Sequence, residues 1–337
     1  MQTCKSKILV VGPCAAETEE QVLATARAVA GLGVQTIFRA GIWKPRTSPE
    51  TFQGIGAKGL PWLVKAQAET GMIATTEVST PEQLKESLQA GLRGIWIGAR
   101  TGADPIAVQH LADALREADK KPEVVLVKNP VNEDVDLWIG NIRRIQSAVP
   151  TTTDVIAVHR GCNHRPCWRM AYALKQAMPE MPLLLDPSHM SGEADKVQAL
   201  VNKAAALGYD GYMIEVHPTP SQALSDSRQQ ITPEQLKDIL EQVIQVEPVG
   251  HNELLWLRAQ IDEVDDRLWS ALAERLNVVR QIGQYKHQHG LEAYQPERYQ
   301  SMMAERLIWA KKNGLPEETV RSILDAIHSA SVGLQQH

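Results

Sequence analysis

The feature that most constrains this chain is a repeat of eight short, apolar, β-branched runs: ILVV, VQTIF, MIATT, GIWIG, VVLVKN, VIAVH, LLLD and YMIEV, all before residue 217. Between them lie stretches such as EEQVLATARAVAGL, PEQLKESLQA and DKVQALVNKAAALG, whose apolar residues recur three and four apart as on an amphipathic helix. Strands this uniformly apolar are buried on both faces, which is the condition of a parallel sheet covered by helices. Eight strand-helix units in about 245 residues predict a closed α/β barrel, the (β/α)8 or TIM barrel. A doubly wound open sheet would more often carry a glycine-rich phosphate turn after its first strand; here that turn reads GPCAAE.

From about residue 254 the pattern is helical only. The long run LLWLRAQIDEVDDRLWSALAERLNVVRQIGQYKHQ cannot bury its apolar stripe alone. Two shorter helices are expected at Pro296 to Lys311 and Pro316 to Leu334, with Gly314 and Pro316 as stop and start signals. The boundary falls near Pro248 to Asn252, dividing the chain into 1–248 and 249–337, and three helices of unequal length predict an all-α domain that dimerises, as a homodimer or as part of a larger homo-oligomer.

A net charge of -5 and a pI near 6.1 argue against nucleic acid or anionic membrane as the main partner, since both require a basic face. No apolar run approaches the roughly 20 residues of a membrane span, and MQTCKSKILVVGP carries no cleavage pattern, so a cytoplasmic location is expected. Cys4, Cys14, Cys162 and Cys167 are too few for a disulfide framework.

In such a barrel the catalytic groups follow the strand C-termini. Here those positions hold Cys14 after the first strand, Arg39 with Lys44 and Arg46 after the second, then Glu77, Arg100, Lys128 and Arg160. The seventh and eighth deliver Asp186 with His189 and Glu215 with His217. Any one of them is ordinarily a solvated loop charge. Together they form a cationic mouth in an acidic protein, which calls for small, highly anionic phosphate esters. Cys14, His189, Glu215 and Asp226 mix soft, intermediate and hard donors and suit one divalent ion such as Mn, Fe, Co or Zn. A cysteine in this place also fits an ordinary core position.

These residues stand in motifs: GPCAAE at 12–17, RAGIWKPRTSPETFQGIG at 39–56, IGAR at 97–100, DPSH at 186–189 and IEVHPTPSQALSDSRQ at 214–229. Residues 5–245 resemble the class I beta 3-deoxy-D-arabino-heptulosonate 7-phosphate (DAHP) synthases. The octulosonate phosphate synthases share this barrel but differ at KPRT. The resemblance implies metal ligation by Cys14, His189, Glu215 and Asp226, with Mn favoured. It implies phosphoenolpyruvate binding by Arg39, Lys44, Ala99, Arg100, Lys128 and Arg160, and erythrose 4-phosphate binding by Arg46 and Thr47. Lys44 would be the proton donor. Arg160 is preceded by His159, where many relatives carry an acid. GCNHRPCW at 161–168 reads as a mobile loop near the site rather than a second metal centre, since no second ligand pair accompanies it.

Residues 253–337 resemble the all-helical chorismate mutases. That likeness implies chorismate binding by Arg258, Arg275, Lys286, Gln295, Tyr299, Ser331 and Gln335, with Arg258 reaching across the dimer and Arg275, Lys286 and Gln335 taking part in catalysis. Gln295 and Tyr299 replace an aspartate and a glutamate common in that family. The expected outcome is a bifunctional enzyme of the shikimate pathway, its synthase inhibited by prephenate or chorismate bound to the tail. The alternative is a synthase whose helical tail only binds ligand and dimerises.

Overall fold

The computed structural model describes residues 7–33, 35–44, 50–243 and 253–335. Eight parallel strands close into a barrel in sequence order: β1 (Ile8–Gly12), β2 (Gln35–Arg39), β3 (Ile73–Val78), β4 (Gly94–Ile97), β5 (Val124–Lys128), β6 (Asp154–His159), β7 (Leu183–Leu185) and β8 (Gly211–Glu215). Each of the eight expected runs supplies one of these strands among its described residues. β8 closes on β1 in register, from Gly211 opposite Ile8 to Glu215 opposite Gly12.

The wall is built from α1 (Glu19–Val29), α2 (Leu60–Thr70), α3 (Pro81–Ala90), α4 (Pro105–Glu117), α5 (Val135–Gln146), α6 (Trp168–Ala177), the short α7 (Pro187–Ser191), α8 (Val197–Leu207) and α9 (Pro233–Val243). Their starts are locally encoded: Thr18, Thr80, Asp104 and Asp134 accept from backbone N–H groups of the following turn, and proline opens α3 and α4. Left-handed Gly91 and Gly208 end α3 and α8.

Strand parity decides which side chains enter the barrel. Val10, Ile37, Trp96, Val124, Leu126, Ile156, Val158, Leu184 and Met213 form the inner cluster, while Leu9, Val11, Phe38, Val125 and Ile214 pack outward with the helices. Side chains alternate along a strand. Continuing the inner parity toward each C-terminus reaches Cys14, Arg39, Glu77, Arg100, Lys128, Arg160, Asp186 and Glu215. Arg39, Glu77, Lys128 and Glu215 are therefore inward positions at the ends of their own strands, while Cys14, Arg100, Arg160 and Asp186 follow one to three residues beyond theirs.

Gly12 lies where β1 turns toward Cys14, at φ +148°, and a Cβ there would stand 2.1 Å from the Arg39 carbonyl oxygen. That neighbour is backbone of the adjacent strand and cannot swing away. Gly12→Ala is expected to lower unfolding free energy by about 3 kcal/mol, read from urea denaturation; a loss below about 1 kcal/mol would refute the close-approach argument.

The chain divides between Gln260 and Ile261 into two compact units. α10 (Glu253–Gln288) runs through this point, and its first turns belong to the barrel unit. There Trp256 lies 5.6 Å from the Tyr209 ring, and Tyr172 Oη donates to Glu253 at 2.7 Å. The expected boundary at 248–252 lies outside the described residues. The second unit continues with α11 (Pro296–Lys312) and α12 (Glu317–Gln335), within one residue of the expected ends.

Candidate active site

Asp186 caps the N-terminus of α7, its Oδ1 accepting from the His189 backbone N–H at 3.0 Å. Its Oδ2 accepts from Lys128 Nζ at 2.6 Å and stands 2.9 Å from His189 Nδ1. Burial pushes the Asp186 carboxyl up, but His189, Lys128 and Arg39 outweigh it and hold the group well below the usual range. Burial lowers the Lys128 pKa against the pull of Asp186. The two groups lie within salt-bridge distance of one another, both buried, and the same carboxylate turns His189 Nε2 toward Glu215 Oε1, 3.5 Å away.

Glu215 accepts from Arg39 Nη2 at 2.9 Å and from Gln229 Nε2 at 2.7 Å. Burial raises its pKa, and His189, Arg39 and Lys44 outweigh burial, leaving it below the ordinary value. Arg39 lies 4.9 Å from the Trp96 ring centroid, with Nε and Nη1 buried and without a partner among the described residues. A buried guanidinium with two unused donors is prepared for an anion.

Cys14 Sγ stands 3.0 Å from Asp226 Oδ2 and 2.9 Å from Lys44 Nζ. Burial, followed by Glu215, pushes the thiol up to about 12. A thiol, an imidazole whose other nitrogen is held by a carboxylate, and two carboxylates make a chemically suitable donor set for a borderline divalent cation. As placed, the donors stand pairwise, Cys14 with Asp226 and His189 with Glu215, with Lys44 and Arg39 each against one member. Among the described residues no group of three or more such donors converges on one point.

Ala99, Arg100, Lys128, Arg160, His189 and Asp226 line one cavity of about 220 Å³, together with Glu77, Gln229 and His164 among others. Gly98 makes room for Glu77, since a Cβ there would meet its Oε1 at 1.9 Å. A cavity of about 520 Å³ lies at the opposite, N-terminal ends of β6 and β7, lined by Arg143, Val155, Met178 and Met181 among others. It gathers no comparable set of charges, so the chemistry belongs to the smaller one. Arg46 and Thr47 lie outside the described residues.

Residue-by-residue reading did not single out Gln229, Asn129 and His164. Gln229 holds Glu215, and Asn129 Oδ1 accepts from the Arg160 backbone N–H at 2.7 Å. Gln229 lies in the quoted SDSRQ run, three residues after Asp226, which was the available signal. The stretch 161–168 is a tight turn, with Cys162 and Arg165 in an antiparallel bridge and Asn163, His164 and Cys167 at positive φ. His159 is buried beside it, Nδ1 2.8 Å from Tyr209 Oη, and burial with Arg160 lowers its pKa to about 3. A neutral ring thus stands where an acid was common.

In the helical unit Arg275 Nη1 donates to Ser331 Oγ at 2.6 Å, and Lys286 Nζ to the Ala293 carbonyl at 2.8 Å. Gln335 Oε1 is buried without a partner among the described residues. Tyr299 Oη donates to Asp325, and Gln295 is exposed at the N-cap of α11 without capping it. Arg258 is exposed on α10.

A (β/α)8 barrel that gathers buried charges at its strand C-termini has the architecture of a barrel-class enzyme, with Arg100, Lys128 and Arg160 around one cavity. Comparison with known proteins narrows the class. Residues 4–251 match the model of the DAHP synthetase I family, and the chain belongs to that family. Residues 257–336 match chorismate mutase type II, so a DAHP synthase domain is followed by a chorismate mutase domain, both from families of enzymes. The phospho-2-dehydro-3-deoxyheptonate aldolase of Thermotoga maritima is 31% identical over 249 residues, 70% of this chain and 68% of that one. The crystal structure of that DAHP synthase superposes with a TM-score of 0.61 at 28% identity, covering 70% of this chain and 68% of the other. The T-protein of Haemophilus influenzae is 41% identical over 68 residues, 20% of this chain and 18% of that protein. No helix among the described residues is long and apolar enough to cross a membrane.

Proposed function

We propose that the barrel condenses phosphoenolpyruvate with D-erythrose 4-phosphate to DAHP and phosphate, and that the helical domain rearranges chorismate to prephenate. The reading is supported above all by one observation: Ala99, Arg100, Lys128 and Arg160 line a single small cavity together with His189 and Asp226. Arg100, Lys128 and Arg160, with Arg39, hold the phosphate and carboxylate of phosphoenolpyruvate, and Arg46 and Thr47 hold the phosphate of the sugar. Cys14, His189, Glu215 and Asp226 hold one divalent ion, Mn favoured, which when bound supplies a Lewis acid for the aldehyde oxygen. The ligand pairs and cations orient the enol carbon against the aldehyde carbon. Lys44 Nζ gives a proton to the aldehyde oxygen as the carbon–carbon bond forms, and water adds to the former enol carbon before phosphate leaves.

EDTA treatment is expected to abolish phosphoenolpyruvate consumption, and added Mn to restore it, while chorismate consumption continues unchanged. An EDTA-resistant condensation would remove the metal assignment. Failure of the Mn-replete protein to condense the two substrates would remove the barrel reading.

The helical domain is read as a dimeric mutase that also carries feedback inhibition by prephenate or chorismate. Support comes from α10, where Ile261, Val264, Leu268, Val278, Ile282 and Tyr285 recur at heptad spacing and remain 43–60% exposed. Arg258, which the family likeness assigns to chorismate binding, is read as reaching across the dimer. Leu268→Glu is expected to give a monomer by sedimentation and to lower mutase kcat/KM at least about tenfold; an unchanged dimer would sink this interface. A tail that only binds ligand and dimerises is favoured by one detail, the commitment of the Tyr299 hydroxyl to Asp325. Its test is chorismate turnover by the full chain.

A further inference from the structure

We propose that His328 contacts substrate in the helical site, where together with Gln335 it provides the neutral polar contacts that select a cyclic dicarboxylate bearing a ring hydroxyl. The inference rests on the chorismate mutase reading of that site and names a residue which neither motif nor family likeness assigned to it.

His328, Ser331 and Gln335 are spaced three and four apart and share one face of α12. Arg275, Gly283 and Lys286 share the opposing face of α10. The two faces meet through the Arg275 to Ser331 hydrogen bond at 2.6 Å and through Gly283, where a Cβ would stand 3.0 Å from Gln335 Cα. The face they enclose carries two cations for carboxylates or an ether oxygen.

Two buried side-chain atoms on this face, His328 Nε2 and Gln335 Oε1, have no hydrogen-bond partner among the described residues. Buried polar groups are almost always paired, so two orphans beside two cations mark places for ligand atoms. The His328 ring stacks on that of Tyr299 at 3.9 Å and 26° and lies 5.5 Å from that of Tyr294. Burial, then Arg275, and to a smaller extent Lys286 lower its pKa, while Asp325 opposes them. A neutral imidazole has one donating and one accepting nitrogen, and a hydroxyl satisfies either. The Tyr299 hydroxyl is committed to Asp325 and the Gln295 side chain is exposed, which leaves His328 as the neutral group turned inward.

The test uses the full chain, with chorismate and its analogue lacking the ring hydroxyl as substrates. His328→Leu is expected to lose about tenfold in kcat/KM on chorismate, the usual worth of one hydrogen bond, and less than about twofold on the deoxy analogue. His328→Gln, which keeps a donor and an acceptor, is expected to restore most of the difference. An equal loss on both substrates makes His328 a packing residue and overturns the proposal, as does a His328→Leu rate on chorismate within about twofold of wild type. Circular dichroism of the same preparations reports whether the helical unit is folded; should His328→Leu fail there, His328→Phe, which keeps a ring without its nitrogens, is compared on the two substrates with the same expected and overturning outcomes. If the unsubstituted chain neither binds nor converts chorismate, the mutase reading itself fails, an outcome distinct from failure of His328 alone.

Discussion

Replacing Asp186 with asparagine is expected to lower synthase kcat/KM about 10²–10³-fold, with the Michaelis constant for phosphoenolpyruvate rising and Mn affinity falling together. The side chain is fully buried and serves two proposed functions at once, holding Lys128 Nζ at 2.6 Å and His189 Nδ1 at 2.9 Å. Asparagine keeps the shape and removes the charge. Burial already lowers the Lys128 pKa and Asp186 is the first influence opposing it, so without the carboxylate the ammonium loses its principal support as a phosphate or carboxylate ligand. His189 loses the anion that orients its ring, a change that typically costs about 10–100-fold in metal affinity or activity. Steady-state kinetics and a metal titration read both effects, and mutase turnover in the same sample serves as the internal control. A variant within about threefold of wild type would show that Asp186 is merely a satisfied core carboxylate.

Arg275→Ala is expected to reduce mutase kcat/KM about 10²–10³-fold and to make the synthase insensitive to prephenate, while leaving basal condensation unchanged. Arg275 donates to Ser331 across the α10–α12 contact, so alanine removes a cation from the ligand face and leaves the serine without that donor. Reciprocity of coupling supplies the second readout: a ligand that no longer binds the helical domain cannot bias the barrel. Mutase loss with inhibition intact would place the feedback site elsewhere. Intact turnover would leave the arginine a structural contact.

Much of this molecule was legible without coordinates because its information is local. The β-branched runs, the Gly314 and Pro316 stop and start signals, and the change of period in the tail each depend on residues within a few positions of one another. Strand parity extends that logic to the site, since inward positions alternate by simple steric geometry. Cys14, Arg39, Lys128, Asp186 and Glu215 were therefore identifiable as strand-end groups, and motif likeness supplied their expected roles.

Which of them touch was not legible. Cys14 meets Asp226 across 212 positions, Arg39 meets Glu215 across 176 and Lys128 meets Asp186 across 58. Those pairs exist because β8 closes on β1 and the barrel interior forces its charges into one small volume, where burial makes pairing obligatory. The division inside α10, the anchoring of Trp256 on Tyr209 and the orphaned His328 and Gln335 atoms likewise follow from packing between distant segments. The linear chain determined the elements, the barrel class and the residue types at the strand ends, because periodicity and capping act between neighbours; tertiary structure alone decided the ion pairs and the unpaired groups, because desolvation and partner choice arise only when remote parts of the chain share a volume without water.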